Sequence, residues 1–147
     1  MSQPWVGAGA WHTWTRSIAN PDRAKVEAQV KAFRDIEDEW AGDDSVAPTK
    51  EAIDNAMGFL RTAGLLVPPP IAYPNENGTV SLEWKTKLGS ASVEFGRTRV
   101  AITIRRGSSS PTFVNGDVRA VEMVAIAFLI KSALESMLPV PEDSAAE

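Results

Sequence analysis

The chain has 147 residues, a formal net charge of −4, 44% apolar residues and no cysteine. That length and apolar content suffice for one domain with a real core. The missing cysteine excludes disulfides, thiolate catalysis and cysteine-ligated zinc or iron–sulfur centres, and it is compatible with a reducing cytoplasm, the expected location. The acidic balance argues against a protein that wraps nucleic acid with its whole surface. Charge is unevenly spread, however. From Asp22 to Asp44 eight acids face four bases, whereas from Val80 to Arg106 six bases (Lys85, Lys87, Arg97, Arg99, Arg105, Arg106) face two acids, Glu83 and Glu94. The longest apolar run, Met123 to Ile130, is far short of the ~20 residues of a membrane span. The start of the chain has neither the basic n-region nor the apolar h-region of a signal peptide.

Taken in order, residues 1–19 are Trp-rich, with Trp5, Trp11, Trp14 and the single histidine, His12. Trp11, Trp14 and Ile18 suit one helical face, which either covers the core or anchors a partner. Asn20-Pro21 opens a helix, with Asn as N-cap and Pro in the first turn. Val26, Val30, Phe33, Ile36 and Trp40 fall on one stripe, so this helix is expected to run to Gly42. Its outer face carries Asp35, Glu37, Asp38 and Glu39, followed by Asp43 and Asp44. A second helix is expected after Thr49 as its cap, with Ile53, Ala56, Met57 and Leu60 buried and Gly64 as its stop. Leu65 to Tyr73, with Pro68, Pro69 and Pro70, must run extended.

Three runs then alternate with period two. Val80, Leu82 and Trp84 share a face; so do Ala91, Val93 and Phe95, and so do Val100, Ile102 and Ile104. A four-residue loop at Thr86–Gly89 sets Trp84 opposite Ala91, Leu82 opposite Val93 and Val80 opposite Phe95. Gly96-Arg97, read as a two-residue type II′ turn, sets Phe95 opposite Thr98 and Val93 opposite Val100. That register also places Glu94 across from Arg99 as an ion pair. Thr112-Phe113-Val114 is a candidate fourth strand before an Asn115-Gly116 turn. Asp117 then caps a helix expected to reach Leu138, where Pro139 stops it. Val121, Val124, Ala125, Phe128, Ala133, Leu134 and Met137, widened by Ile126, Leu129 and Ile130, make that helix apolar nearly all round, so burial on more than one side is expected. The expected fold is α+β. A three- or four-stranded antiparallel meander is packed on one face by the C-terminal helix and the N-terminal helices, in one domain over 1–138, with 139–147 a flexible tail.

The stretch EWAGDDSVAPTKEAIDNAMGFL, a proline-rich link and then NGTVSLEW resembles a family of small, uncharacterised bacterial and phage proteins. Those carry a Trp-Asp-Gly segment, a Pro-Ser/Thr-x-Glu-Ala helix and a Leu-Glu-Trp strand. Here Trp40-Ala41-Gly42 stands at the first of these. The resemblance covers under half of the chain, implies an α+β fold and a mobile-element setting, and brings no activity or catalytic residue.

The residues themselves offer no catalytic pattern. His12 lacks a cysteine partner or an HExxH context, and Asp43-Asp44 lacks ligand spacing on either side. Ser108-Ser109-Ser110 lacks the glycines of a nucleophile elbow, and no phosphate loop is present. Glu83 and Glu94 share a sheet face among basic neighbours, the pattern of a solvated face. The reading is therefore a non-catalytic protein-interaction module without metal or cofactor, an inhibitor or antitoxin-like regulator. Its partner surface is expected at Asp35, Glu37, Asp38, Glu39, Asp43 and Asp44, with Trp5 and Trp11. The alternative is a nucleic-acid-binding protein using Lys85, Lys87, Arg97, Arg99, Arg105 and Arg106, or a nucleic-acid mimic using the acidic helix. An enzyme of unrecognised type ranks third.

Overall fold

The computed structural model describes residues 21 to 137; Trp5, Trp11, His12, Trp14 and the tail from 139 to 147 lie outside the described residues. The described chain is α+β. In order come α1 (Pro21–Ala32), a 3-10 turn (Phe33–Asp35), α2 (Lys50–Thr62), a second 3-10 turn (Gly64–Leu66), β1 (Ile71–Pro74), β2 (Val80–Thr86), β3 (Gly89–Phe95), β4 (Arg99–Arg106), β5 (Thr112–Asp117) and α3 (Met123–Ser136). The five strands form one antiparallel meander in the order β1-β2-β3-β4-β5.

The alternation puts Val80, Leu82, Trp84, Ala91, Val93, Phe95, Val100, Ile102 and Ile104 on the buried face. All three helices contribute to the same core: α1 through Val26 and Val30, α2 through Ile53, Ala56, Met57, Phe59 and Leu60, and α3 through Ile126, Ile130 and Leu134. At its centre the Trp84 indole meets Phe59 edge-on at 6.2 Å and 72°, and Phe59 packs on Phe95 at 5.9 Å. Trp84 Nε1 donates to the Pro68 carbonyl at 2.7 Å, so the buried indole N–H is satisfied. The proline-rich link is thereby tied to the sheet, and its end continues as β1, a strand beyond the three or four expected.

The β2–β3 register is as expected, with Trp84 opposite Ala91, Leu82 opposite Val93 and Val80 opposite Phe95. Here the ladder closes one pair further, at Thr86 and Gly89. Gly89 cannot be replaced without damage, since a Cβ there would collide with the Arg105 carbonyl oxygen.

The β3–β4 register differs from expectation by two residues. Phe95 faces Val100, Val93 faces Ile102 and Ala91 faces Ile104. The connection is a wider turn closed by Gly96 N donating to Arg99 O at 2.9 Å. Gly96 does not adopt the positive φ of a type II′ turn. The cause lies on α2: Asn55 Nδ2 donates to Gly96 O at 2.9 Å and to Arg97 O at 3.2 Å, holding both turn carbonyls. Glu94 consequently faces Ala101, and Arg99 faces Asp117 of β5. The expected Glu94–Arg99 pair across β3 and β4 does not form.

Two helix ends also differ. α1 stops at Ala32, and Ile36 is already extended (φ −75°, ψ 135°). Carrying the helix on would stack Asp35, Glu37, Asp38 and Glu39 at its negative C-terminal end and set Asp35 against Glu39 at i,i+4, both unfavourable. Trp40 accordingly leaves the expected core stripe and is 39% exposed. At the other end, β5 runs through Asn115-Gly116 to Asp117. Asp117 holds a turn instead of a helix: its Oδ1 accepts from Arg119 N at 2.8 Å, its carbonyl from Ala120 and Val121 N. α3 begins only at Met123.

Candidate functional site: an acidic loop

Between α1 and α2, residues 35–44 hold six carboxylates, Asp35, Glu37, Asp38, Glu39, Asp43 and Asp44, and no lysine or arginine. All six residues are exposed. The expected helical face is thus a loop, and its framework is specific. Ser45, buried among exposed neighbours, gives its Oγ hydrogen to Gly42 O at 2.7 Å and accepts from Ala41 N at 2.9 Å. Its backbone carbonyl accepts from Glu39 N at 2.8 Å, and its N–H donates to Gly42 O. Glu39 takes a left-handed φ of 67° to make the reversal, a conformation uncommon outside glycine. Trp40 Nε1 donates to Val46 O at 3.0 Å, closing the loop from its open side.

The far end is fastened twice. Asp38 Oδ1 accepts from Ala47 N at 2.8 Å, and Val46 N donates to Glu76 O at 2.8 Å. Asp38 is therefore a structural acid as well as a charged one. The remaining five carboxylates point outward from a hydrogen-bonded frame. Among the described residues no group of three acids converges in the manner of a metal site. Arg34 pairs with Asp54 at 3.1 Å on the α2 side, where with Pro48, Lys50 and Ile53 it lines a shallow depression of about 340 Å³.

The six bases of the alternative reading do not form one patch. Lys85 and Arg105 flank Ser90 in one row at the far end of the sheet, with Lys87 and Arg106 adjoining. Arg97 and Arg99 sit in the turn at the opposite end, about 20 Å away at the strand rise of ~3.3 Å per residue. Arg97 there approaches Glu51 at 3.8 Å, and Lys85 approaches Glu83 at 3.6 Å. Beside Arg97 and Arg99 an open cleft of about 410 Å³ runs past Thr49, Asn77 and Thr79.

The polar sheet face carries a hydrogen-bonded cluster that periodicity alone did not reveal. Thr79 Oγ1 lies 2.5 Å from Glu94 Oε2 and 2.8 Å from Asn77 Oδ1, and accepts from Asn75 Nδ2 at 2.9 Å. Burial raises the Tyr73 phenol pKa above its ordinary value, reinforced by the charge and hydrogen bond of Glu83 and the charge of Glu94. Each group is engaged by a neighbour, and the cluster ties the Asn75–Thr79 turn to the sheet. Comparison with protein-family models, with curated proteins and with solved structures finds no match. No described helix is long and apolar enough to cross a membrane.

Proposed function

We propose that this protein is a non-catalytic interaction module whose acidic loop receives a basic protein partner. The observation that supports this is the combination of charge and frame. Six carboxylates occupy ten consecutive positions, on a loop held by Ser45, Asp38 and Trp40. A loop already fixed before contact loses little conformational entropy on binding. Outward acids speed the approach of a basic surface at low salt. An inhibitor or antitoxin-like regulator, in the phage or mobile-element setting that the sequence resemblance implies, is the role that fits such a surface.

The test captures the partner from the native host and measures its association rate against salt. The variant carries Glu37→Gln, Glu39→Gln, Asp43→Asn and Asp44→Asn together, leaving Asp38 in its bond. A control neutralises Glu51, Glu76, Glu122 and Glu135. Association should slow at least about tenfold at low salt in the variant alone. Equal rates in both sets would remove the loop from the interface. A nucleic-acid reading has one observation in its favour, the cluster of Lys85, Lys87, Arg105 and Arg106 at one sheet end. A steep salt dependence of binding to generic DNA or RNA, abolished by Arg105→Gln with Arg106→Gln, would support it instead.

A further inference from the structure

The two edges of the sheet are finished differently. β1 is only four residues long and ends in Pro74, and α1 lies against it. Shortness, proline and cover are the devices that keep a foreign strand from adding. Among the described residues β5 has a single neighbour, β4, and its sequence TFVNGD contains no proline, lysine or arginine. Five of its six residues are exposed. Among the described residues no strand pairs with its outer backbone N–H and C=O groups.

The helix beside it is also incomplete. Ile126, Ile130 and Leu134 of α3 are buried, yet Val124, Phe128 and Leu129 on its other side are 41%, 53% and 37% exposed. Val114 faces the core side of the sheet opposite Ile102 but remains 44% exposed. Val121 bridges the two elements, its Cγ2 resting over Gly116, where a Cβ would come within 3.0 Å. Phe113, opposite Thr103, is 64% exposed on the other face of the sheet, so apolar side chains stand uncovered on both faces of this edge, as at interaction sites.

We propose that β5 and the open side of α3 form a two-fold interface with a second copy of this chain, joining two sheets edge to edge. A two-fold axis perpendicular to the sheet sets β5 antiparallel to its mate and keeps both helical layers on one side. In the register centred on Val114, that residue meets its own copy beneath the two α3 helices, and Thr112 faces Gly116. The open sides of Val124 and Phe128 then close against each other across the axis. The charges agree with this choice of occupant. Continuing the β4–β5 register one step past the Ile104–Thr112 pair sets Arg105 beside Pro111. Asp117 of the second copy arrives opposite Pro111, on the same face as Arg105. The axis makes this contact twice, a complementarity that a neutral foreign strand would not supply.

The chain has no cysteine, so a single introduced thiol reports the register directly. Directly opposed residues in an antiparallel pair have Cβ atoms about 4.5–5.5 Å apart, near disulfide reach. Under mild oxidation Val114→Cys should link two full-length chains within the time that Ile71→Cys, exposed on the opposite edge, links few. The parent should sediment as a dimer of the 15.9 kDa chain. Val114→Lys and Phe128→Glu should each weaken the dimer at least about tenfold, with melting checked to show that these exposed positions leave the fold intact. A parent that stays monomeric at high micromolar concentration overturns the proposal. So does equal linking of the two cysteine variants, or a dimer indifferent to Val114→Lys.

Discussion

At the residue scale, Trp84 and Tyr73 each carry a consequence that can be measured. Trp84 fills the centre of the core, edge-on to Phe59, and its N–H satisfies Pro68. Trp84→Ala should therefore cost about 3–5 kcal/mol, as aromatic truncations in cores do. Trp84→Phe keeps a ring but leaves the Pro68 carbonyl bare, a smaller loss of about 1–3 kcal/mol. Urea titration of both variants checks the order; near-parental stability for Trp84→Ala would mean that the buried face has been misassigned. Tyr73 is the only tyrosine, so the phenolate absorbance of the whole protein reports it alone. Its pKa is raised from 10.0 by burial, then by Glu83 and Glu94. The folded state thus holds the phenolic proton more tightly than the unfolded state. The resulting stability is full below the unfolded pKa near 10 and is lost as pH rises through the folded value. The phenolate band should appear at higher pH in native protein than in urea. Tyr73→Phe should flatten the fall in stability above pH 10; an unchanged fall would assign it to other groups.

Among the elements, what the sequence made legible was whatever local spacing decides. The face of every core residue in β2, β3 and β4 follows from period two, and the β2–β3 register follows from a short loop that admits few alternatives. The β3–β4 register was out of reach for a different reason. Shifting it by two residues keeps all side chains on their own face, so alternation is blind to the choice. The choice is made by Asn55, which is 41 positions before Gly96 and belongs to another element. Asn55→Ala should then loosen that turn, costing about 1–2 kcal/mol for two lost bonds and speeding amide exchange around Gly96 to Arg99. Slow exchange there in the variant would show that the turn holds its width unaided. The end of α1 was hidden likewise. Ile36 and Trp40 continue the apolar spacing, which argued for a longer helix against the acids stacked at its end, and the bonds of Asp38, Trp40 and Ser45 hold the loop that forms instead. Asp35, Glu37, Asp38 and Glu39 were expected on a helical face and lie beyond the end of α1 instead, whereas Asp43 and Asp44 were already expected after the helix. The apolar girth of α3 was visible, whereas the side left open depends on how far β5 extends beneath it.

Across the described molecule, the acidic loop and one basic cluster lie at opposite ends of the strands, with Arg97 and Arg99 beside Asn77 at the acidic end. The acidic loop joins the sheet at the Asn77 end through the Val46–Asn77 bridge. Lys85, Lys87, Arg105 and Arg106 lie at the other end, with Arg106 Nε bonded to Ser136 on α3. Such a distribution orients an approaching charged partner before any contact forms. It also has a cost within the acid-rich end, where outward carboxylates repel one another with no base between them. Exposed charges interact over the Debye length, about 10 Å at 0.1 M salt, so this repulsion is strongest in dilute buffer. Replacing Glu37 and Glu39 with Gln and Asp43 and Asp44 with Asn brings the formal net charge from −4 to zero while sparing the Asp38 bond to Ala47. The melting temperature of this variant should equal or exceed the parent's by about 2–4 °C in low salt. The difference should close as salt is added, because the relieved repulsion is the part that salt already screens. Solubility should fall near neutrality, since a protein without net charge associates more readily. A variant that melts well below the parent at every salt concentration would show instead that these four carboxylates hold the loop together. Their exposure would then be a by-product of architecture and not a surface kept for a partner.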